Sequence, residues 1–176
     1  MAAGADYIGF VFAPSRRQVS LEQARDLAQR VSGSTRTVGV FVSPSLAELQ
    51  KAVEAVPLDL VQIHGDFDES LLGQLPVPAI RALQVTQGSE GSLDTRADFL
   101  LFDAPVAGSG QTFDWQILEK KSISKPFFVA GGLTVDNLAE AKDLFNPYAV
   151  DVSSGVETDG SKDLTKIKEF IERAKA

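Results

Sequence analysis

The sequence predicts an α/β fold with parallel strands, arranged as a (β/α) barrel in one domain. Three observations carry this reading. Seven short apolar runs alternate with helix-like stretches along 176 residues, several runs are apolar on both faces, and polar side chains gather just after one run after another. Strand alternating with helix is the order that builds parallel sheets, and a strand covered on both faces reads as a continuous apolar run. A barrel brings every C-terminal strand end to one mouth, whereas an open sheet concentrates its site at a switch point. Arg17, Gln62, His64, Arg81, Asp103, Gly131, Gly132, Asp151, Ser153 and Ser154 are spread over the strand ends, which favours the barrel.

The elements follow in order. Met1 to Asp6 reads as the tail of a helix with Gly4 at its C′ position, delivering the chain into a strand at Tyr7 to Phe12. Ser20 to Val31 places Leu21, Ala24, Leu27, Ala28 and Val31 at helical spacing behind a Ser N-cap. A strand at Val38 to Val42 leads to a second helix at Ser45 to Val56, patterned by Leu46, Leu49, Ala52 and Val53. Strands at Leu58 to Ile63 and Ala79 to Val85 flank a short helical signal at Phe67 to Leu75. A strand at Phe99 to Phe102 precedes a short helix at Trp115 to Lys120. Strands at Phe127 to Ala130 and Ala149 to Val152 flank a helix at Val135 to Phe145, and a helix at Leu164 to Ala174 ends the chain. No long polar linker or composition break divides these units, so one domain over residues 1–176 is expected.

Composition narrows the function. Lys and Arg number 17 against 24 Asp and Glu, a net charge of −7, which disfavours nonspecific attraction to nucleic acid or an anionic membrane. There is no basic stripe with interleaved aromatics of the kind that binds nucleic acid. With no cysteine and one histidine in the sequence, thiolate and multi-histidine metal sites and cysteine nucleophiles are excluded within these residues. No apolar run reaches the roughly 18 to 20 residues that span a bilayer, and no signal-type leader is visible, so the cytoplasm is the expected location.

Several strand-end residues have the chemistry of a site. Asp103 follows an apolar strand and precedes Ala-Pro; a carboxyl desolvated there can act as a general acid, while a turn or cap aspartate has the same local pattern. Period-two geometry puts Gln62 and His64 on one side of their strand and Ile63 on the other, where the histidine serves either a pocket or simple packing. Gly131 and Gly132, then Ser154 and Gly155, follow the last two strands, the position at which barrels bind phosphate through backbone N–H groups; tight turns use the same glycines. Gly108 to Thr112 lacks the ending of a Walker A loop and reads as a mobile loop or a plain connection. Arg16 and Arg17 suit an anionic ligand or solvent equally.

In combination the segments GADYIGFVFAP, VGVFV, VQIHG, LLFDA, GSGQTFDW, VAGGL, VDVSSGVE and GSKD, in this order, resemble the phosphoribosylanthranilate isomerase family, TIM (β/α)8 barrels of tryptophan biosynthesis. The resemblance implies an Amadori rearrangement of N-(5-phosphoribosyl)anthranilate to 1-(2-carboxyphenylamino)-1-deoxyribulose 5-phosphate, with no metal or organic cofactor. It implies Asp103 as general acid, Arg17 at the anthranilate end, Gln62 and His64 lining the pocket and Asp151 as a second carboxylate. The phosphate falls to Gly131, Gly132, Ser154 and Gly155.

Family members usually open with a strand carrying Lys-Ile-Cys-Gly, whose cysteine is the base. The expectation is therefore an incomplete barrel of seven visible strands lacking its first β/α portion, weakly active or inactive, and able to associate through the incomplete edge. The expected partner is a phosphorylated small molecule, with neither nucleic acid nor membrane, and the chain is expected as monomer or homodimer. A different phosphate-binding barrel enzyme and a non-catalytic ligand-binding or assembly protein are the alternatives.

Overall fold

A computed structural model describes residues 3–84, 93–103 and 123–176. The helix expected at Trp115 to Lys120 and the Gly108 to Thr112 loop lie outside the described residues. The described residues divide into two compact units, the first containing residues 3–82 and 94–98 and the second residues 83–84, 93, 99–103 and 123–176.

The first unit follows the expected order: β1 (Tyr7–Val11), α1 (Leu21–Ala28), β2 (Arg36–Val42), α2 (Leu46–Ala55), β3 (Leu60–His64) and the start of β4 (Ala79–Gln84). Its strands are parallel and neighbour one another in sequence order, with Val40 opposite Gln62 and Gln62 opposite Ile80. Alternation explains the continuous apolar runs. Val61 and Ile63 pack with Ala24, Leu49, Ala52 and Val56 of the helices, while Leu60 and Gln62, one residue out of phase, are buried on the other face.

Both helices start at a capping box. Ser20 Oγ accepts from Gln23 N while Gln23 Oε1 accepts from Ser20 N, and Ser45 and Glu48 repeat the exchange, satisfying N–H groups that a helix start leaves without partners. α1 stops short of its periodicity. Arg30 N and Val31 N bond back three residues to Leu27 O and Ala28 O, a tightened last turn ahead of Gly33.

Two expectations are corrected in this unit. Residues 3–6 are not helical, although Gly4 does have a positive φ of 80°. The signal at Phe67 to Leu75 is a 3-10 turn over Glu69–Gln74, because six residues containing Gly73 cannot nucleate an α-helix without flanking support. An aspartate directly before a strand also acts as a latch at the opposite end of the strands from the predicted site. Asp59 Oδ2 accepts from Thr37 N at 2.7 Å and Thr37 Oγ1 at 3.0 Å, and Asp98 Oδ2 accepts from Ala79 N at 2.9 Å.

The second unit contains β5 (Phe99–Asp103), β6 (Phe127–Ala130), α3 (Leu138–Phe145), β7 (Ala149–Val150), β8 (Glu157–Thr158), β9 (Ser161–Lys162) and α4 (Leu164–Lys175). β5, β6 and β7 are parallel neighbours. Val129, Leu133, Leu138, Ala141, Val156 and Phe170 form its core, so both helices bury one face against β6 and the segment after β7. β7 is shorter than the expected Ala149 to Val152, since from Asp151 onward the chain turns into a 3-10 segment at Ser154–Val156.

The antiparallel β8–β9 hairpin was not anticipated. Asp159 and Gly160, with φ of 51° and 77°, make its two-residue turn, and consecutive positive φ values are the hallmark of the type I′ hairpin turn that Asp-Gly favours. Among the described residues no helix is long and apolar enough to cross a membrane.

Candidate active site

Strand register assembles the site in the second unit. Asp103, the last residue of β5, stands opposite Ala130, the last residue of β6, and Asp151 N donates to Val129 O from the strand beyond. Two carboxylates thus end strands on either side of the one that runs into Gly131 and Gly132. Two strand spacings put their backbones roughly 9–10 Å apart, near enough for their charges to interact.

The Asp151 carboxyl responds to that position. Burial by surrounding protein raises its pKa, and the Asp103 carboxylate raises it further, while the Lys162 ammonium and a hydrogen bond from Val152 N–H work the other way. Asp151 nevertheless keeps substantial solvent-accessible surface. That exposure weakens the desolvation penalty relative to a dry interior without changing its sign.

The two loops expected to hold phosphate are in contact. A Cβ on Gly155 would overlap the Leu133 carbonyl oxygen and stand 3.1 Å from Val152 Cγ2, so only glycine lets the Ser154–Gly155 turn lie against the loop that begins at Gly131. Gly131 and Gly132 take positive φ of 85° and 62°, a pair of conformations that other residues rarely adopt.

Two side chains that strand patterning does not single out brace these loops. Asn137 Oδ1 accepts from Thr134 N at 2.8 Å and its Nδ2 donates to Gly132 O at 3.0 Å, closing the first loop on itself. Lys162 Nζ donates to Ser153 O at 2.7 Å and pairs with Glu157 Oε1 at 3.2 Å, tying the second loop to the hairpin. The Asp-Gly turn just before Lys162 was the available signal for the hairpin, and the GSKD segment contained the lysine itself.

In the first unit Gln62 and His64 meet as their shared side predicts. Gln62 Nε2 and His64 Nε2 are 2.8 Å apart, and Gln62 is buried while its partner ring is half-buried. Which of the two nitrogens donates follows the tautomer of the ring. Arg17 lies half-buried in the loop after β1, where its backbone N–H donates to Ser15 Oγ. Arg81 serves the structure of its own surroundings, donating to Gly65 O at 2.5 Å and stacking its guanidinium 4.5 Å from the Phe67 ring centre. Among the described residues no group of three or more His, Asp or Glu is placed to hold a metal ion.

The model of the family described as N-(5'phosphoribosyl)anthranilate (PRA) isomerase matches residues 1–173. This chain belongs to that family. The N-(5'-phosphoribosyl)anthranilate isomerase of Streptococcus gordonii is 66% identical to it over 173 residues, covering 98% of this chain and 88% of the relative. That of Streptococcus mutans is 62% identical over 175 residues, covering 99% and 90%. Among solved structures, TrpF from Jonesia denitrificans superposes with a TM-score of 0.86 at 34% identity, covering 99% of this chain and 88% of that one. A phosphoribosyl anthranilate isomerase in complex with reduced 1-(o-carboxyphenylamino)-1-deoxyribulose 5-phosphate gives a TM-score of 0.81 at 33% identity, covering 98% and 89%. The fold class is accordingly the α/β barrel of phosphoribosylanthranilate isomerases, and the chain is of an isomerase family in tryptophan biosynthesis.

Proposed function

We propose that this chain binds N-(5-phosphoribosyl)anthranilate and performs its Amadori rearrangement within one cytoplasmic barrel domain, as a monomer or homodimer. The observation that carries the reading is the pair Asp103 and Asp151 flanking the strand that enters the glycine loop, beside a second loop packed onto the first. Phosphate oxygens accept from backbone N–H groups at Gly131, Gly132, Ser154 and Gly155, an anion site that needs no net positive charge. Holding one end of the substrate there places its ribose toward the strand ends.

Asp103 delivers a proton to the ribose ring oxygen, the C1′–O bond breaks, and the anthranilate nitrogen supplies the electron pair that forms the C1′ iminium. The Asp151 carboxylate takes the C2′ proton in the role the family gives its cysteine, with slow turnover expected from the exchange, and leaves an enolamine that tautomerises to the ketone. Burial and the charge of Asp103 raise the pKa of Asp151, which strengthens it as a proton acceptor. Arg17 supplies a cation suited to the anthranilate carboxylate, and the hydrogen-bonded pair Gln62 and His64 offers the substrate polar groups.

The test combines turnover with binding. Loss of anthranilate-type fluorescence on mixing substrate with the chain is compared with Asp103→Asn, while the reduced product analogue is titrated into both. Asp103→Asn is expected to slow conversion by about 10²–10⁴-fold and to leave analogue binding nearly unchanged. Failure of the unsubstituted chain to bind the analogue, or conversion that survives the substitution, overturns the reading.

A further inference from the structure

We propose that Lys162 is a positioning residue for the phosphate: by gripping the Ser153 carbonyl from the β8–β9 hairpin, it aims the Ser154 N–H into the site. This role rests on the phosphate reading above and adds the group that sets the geometry of the second loop.

Ser153 C=O and Ser154 N–H belong to one planar trans peptide, so they point in opposite directions, and a donor that fixes the carbonyl fixes the N–H as well. Lys162 Nζ is 2.7 Å from that carbonyl oxygen and 3.4 Å from Ser153 Oγ. The competing donor to the same oxygen, Val156 N, is at 3.5 Å, so the short charge-assisted bond from Lys162 controls the orientation.

The lysine is itself held. Glu157 Oε1 pairs with it at 3.2 Å from a side chain that is only 7% exposed, and Glu157 faces Lys162 across the hairpin register. The hairpin is anchored from α4 by Lys166 Nζ on Glu157 O at 2.8 Å and by Thr158 Oγ1 on Asp163 Oδ2 at 2.8 Å. The Asp159-Gly160 turn therefore does more than reverse the chain. It returns Lys162 to the loop that lies nine residues earlier.

The Lys162 side chain is 47% exposed but its partner Glu157 is 7% exposed, so Lys162→Met both releases the Ser153 carbonyl and leaves a buried carboxylate unpaired. Lys162→Arg keeps the charge and a donor, and the loss confined to the Ser154 amide is what distinguishes the orienting bond from a general loss of stability.

The experiment follows backbone amide shifts of the full chain on titration with inorganic phosphate, for the unsubstituted chain, Lys162→Met and Lys162→Arg, together with KM and kcat for the phosphorylated substrate. Phosphate is expected to move the amides of Gly131, Gly132, Ser154 and Gly155 in the unsubstituted chain. Lys162→Met should weaken phosphate binding and raise KM by about tenfold, with kcat changed less than about threefold and the smallest shift at Ser154. Lys162→Arg, which keeps a donor for the carbonyl, should recover most of the loss. Equal phosphate binding by Lys162→Met and the unsubstituted chain overturns the role of Lys162 and leaves the phosphate site standing. Phosphate that moves none of the four amides in the unsubstituted chain overturns both, and an arginine variant as weak as the methionine one overturns the orienting bond.

Discussion

Asp151 is a carboxyl whose ionisation folding disfavours, through burial first and the Asp103 charge second. A carboxyl with its folded pKa above the ordinary 3.8 binds more protons in the folded than in the unfolded chain once pH passes that value. Stability is thus lost as pH rises from about 3.8 through the folded pKa. Asp151→Asn should raise the melting temperature at pH 7 and leave it unchanged near pH 3, which thermal denaturation at both pH values checks; a lower melting temperature at pH 7 would contradict the assignment. Gly155→Ala acts in the other direction, since the added methyl collides with the Leu133 carbonyl, a backbone atom that cannot swing aside. A loss of about 1–3 kcal/mol in denaturant unfolding is expected, accompanied by amide shift changes at Leu133 and Thr134.

At this scale the sequence made Asp103, Gln62 and His64 legible, because alternation along a strand and position at its end suffice to place them. Asn137 and Lys162 were illegible because their partners are backbone carbonyls and amides of other segments. Nothing in a residue's own surroundings in the sequence announces such a partner.

Among the elements, caps were the best-read features. Ser20 and Ser45 were expected at helix starts and both form capping boxes. Ser45→Ala should cost about 1 kcal/mol of unfolding free energy. Glu48 and Asp163 are carboxylates held below their usual pKa, Glu48 by the Ser45 backbone and side chain, Asp163 by the Thr158 hydroxyl and then the N–H groups of Lys166 and Thr165. Depressed values mean the opposite pH dependence from Asp151: their contribution is complete above the ordinary values of 4.5 and 3.8 and is lost as pH falls below them. Asp163→Asn should therefore flatten the acid limb of the stability curve, as melting temperatures between pH 5 and about pH 2 would show.

The 3-10 turn at Glu69–Gln74 was misread as helical and the hairpin was missed for a common reason. Each is too short for periodicity to identify, and each is held by residues distant in sequence: Glu69 accepts from Thr95 and Arg96, and Lys166 reaches Glu157.

For the whole molecule, net charge governs how the substrate arrives. The chain carries −7, from 17 basic and 24 acidic residues, and the proposed substrate brings a phosphate and a carboxylate. Long-range repulsion then opposes encounter, while Arg17 and the loop N–H groups act only at short range. Added salt shortens the screening length to about 10 Å at 0.1 M, which removes the first effect more than the second. Raising KCl from about 10 to 100 mM should increase kcat/KM for this substrate; a steep fall would show that local cations steer the encounter.

By itself the sequence determined the class of fold, the order of strands and helices and the strand ends at which polar groups collect, because alternation and capping are local codes written in consecutive residues. It also determined the family, since an ordered series of short motifs is a property of the chain alone. Tertiary structure decided the rest: that Asp103 perturbs Asp151, that the Ser154–Gly155 turn rests on the Leu133 carbonyl, and that a lysine beyond a hairpin grips Ser153. Register between parallel strands and the return of a hairpin bring together groups that are dozens of residues apart or on opposite sides of a turn. Electrostatic and hydrogen-bond energies depend on that distance in space, for which distance along the chain is no guide.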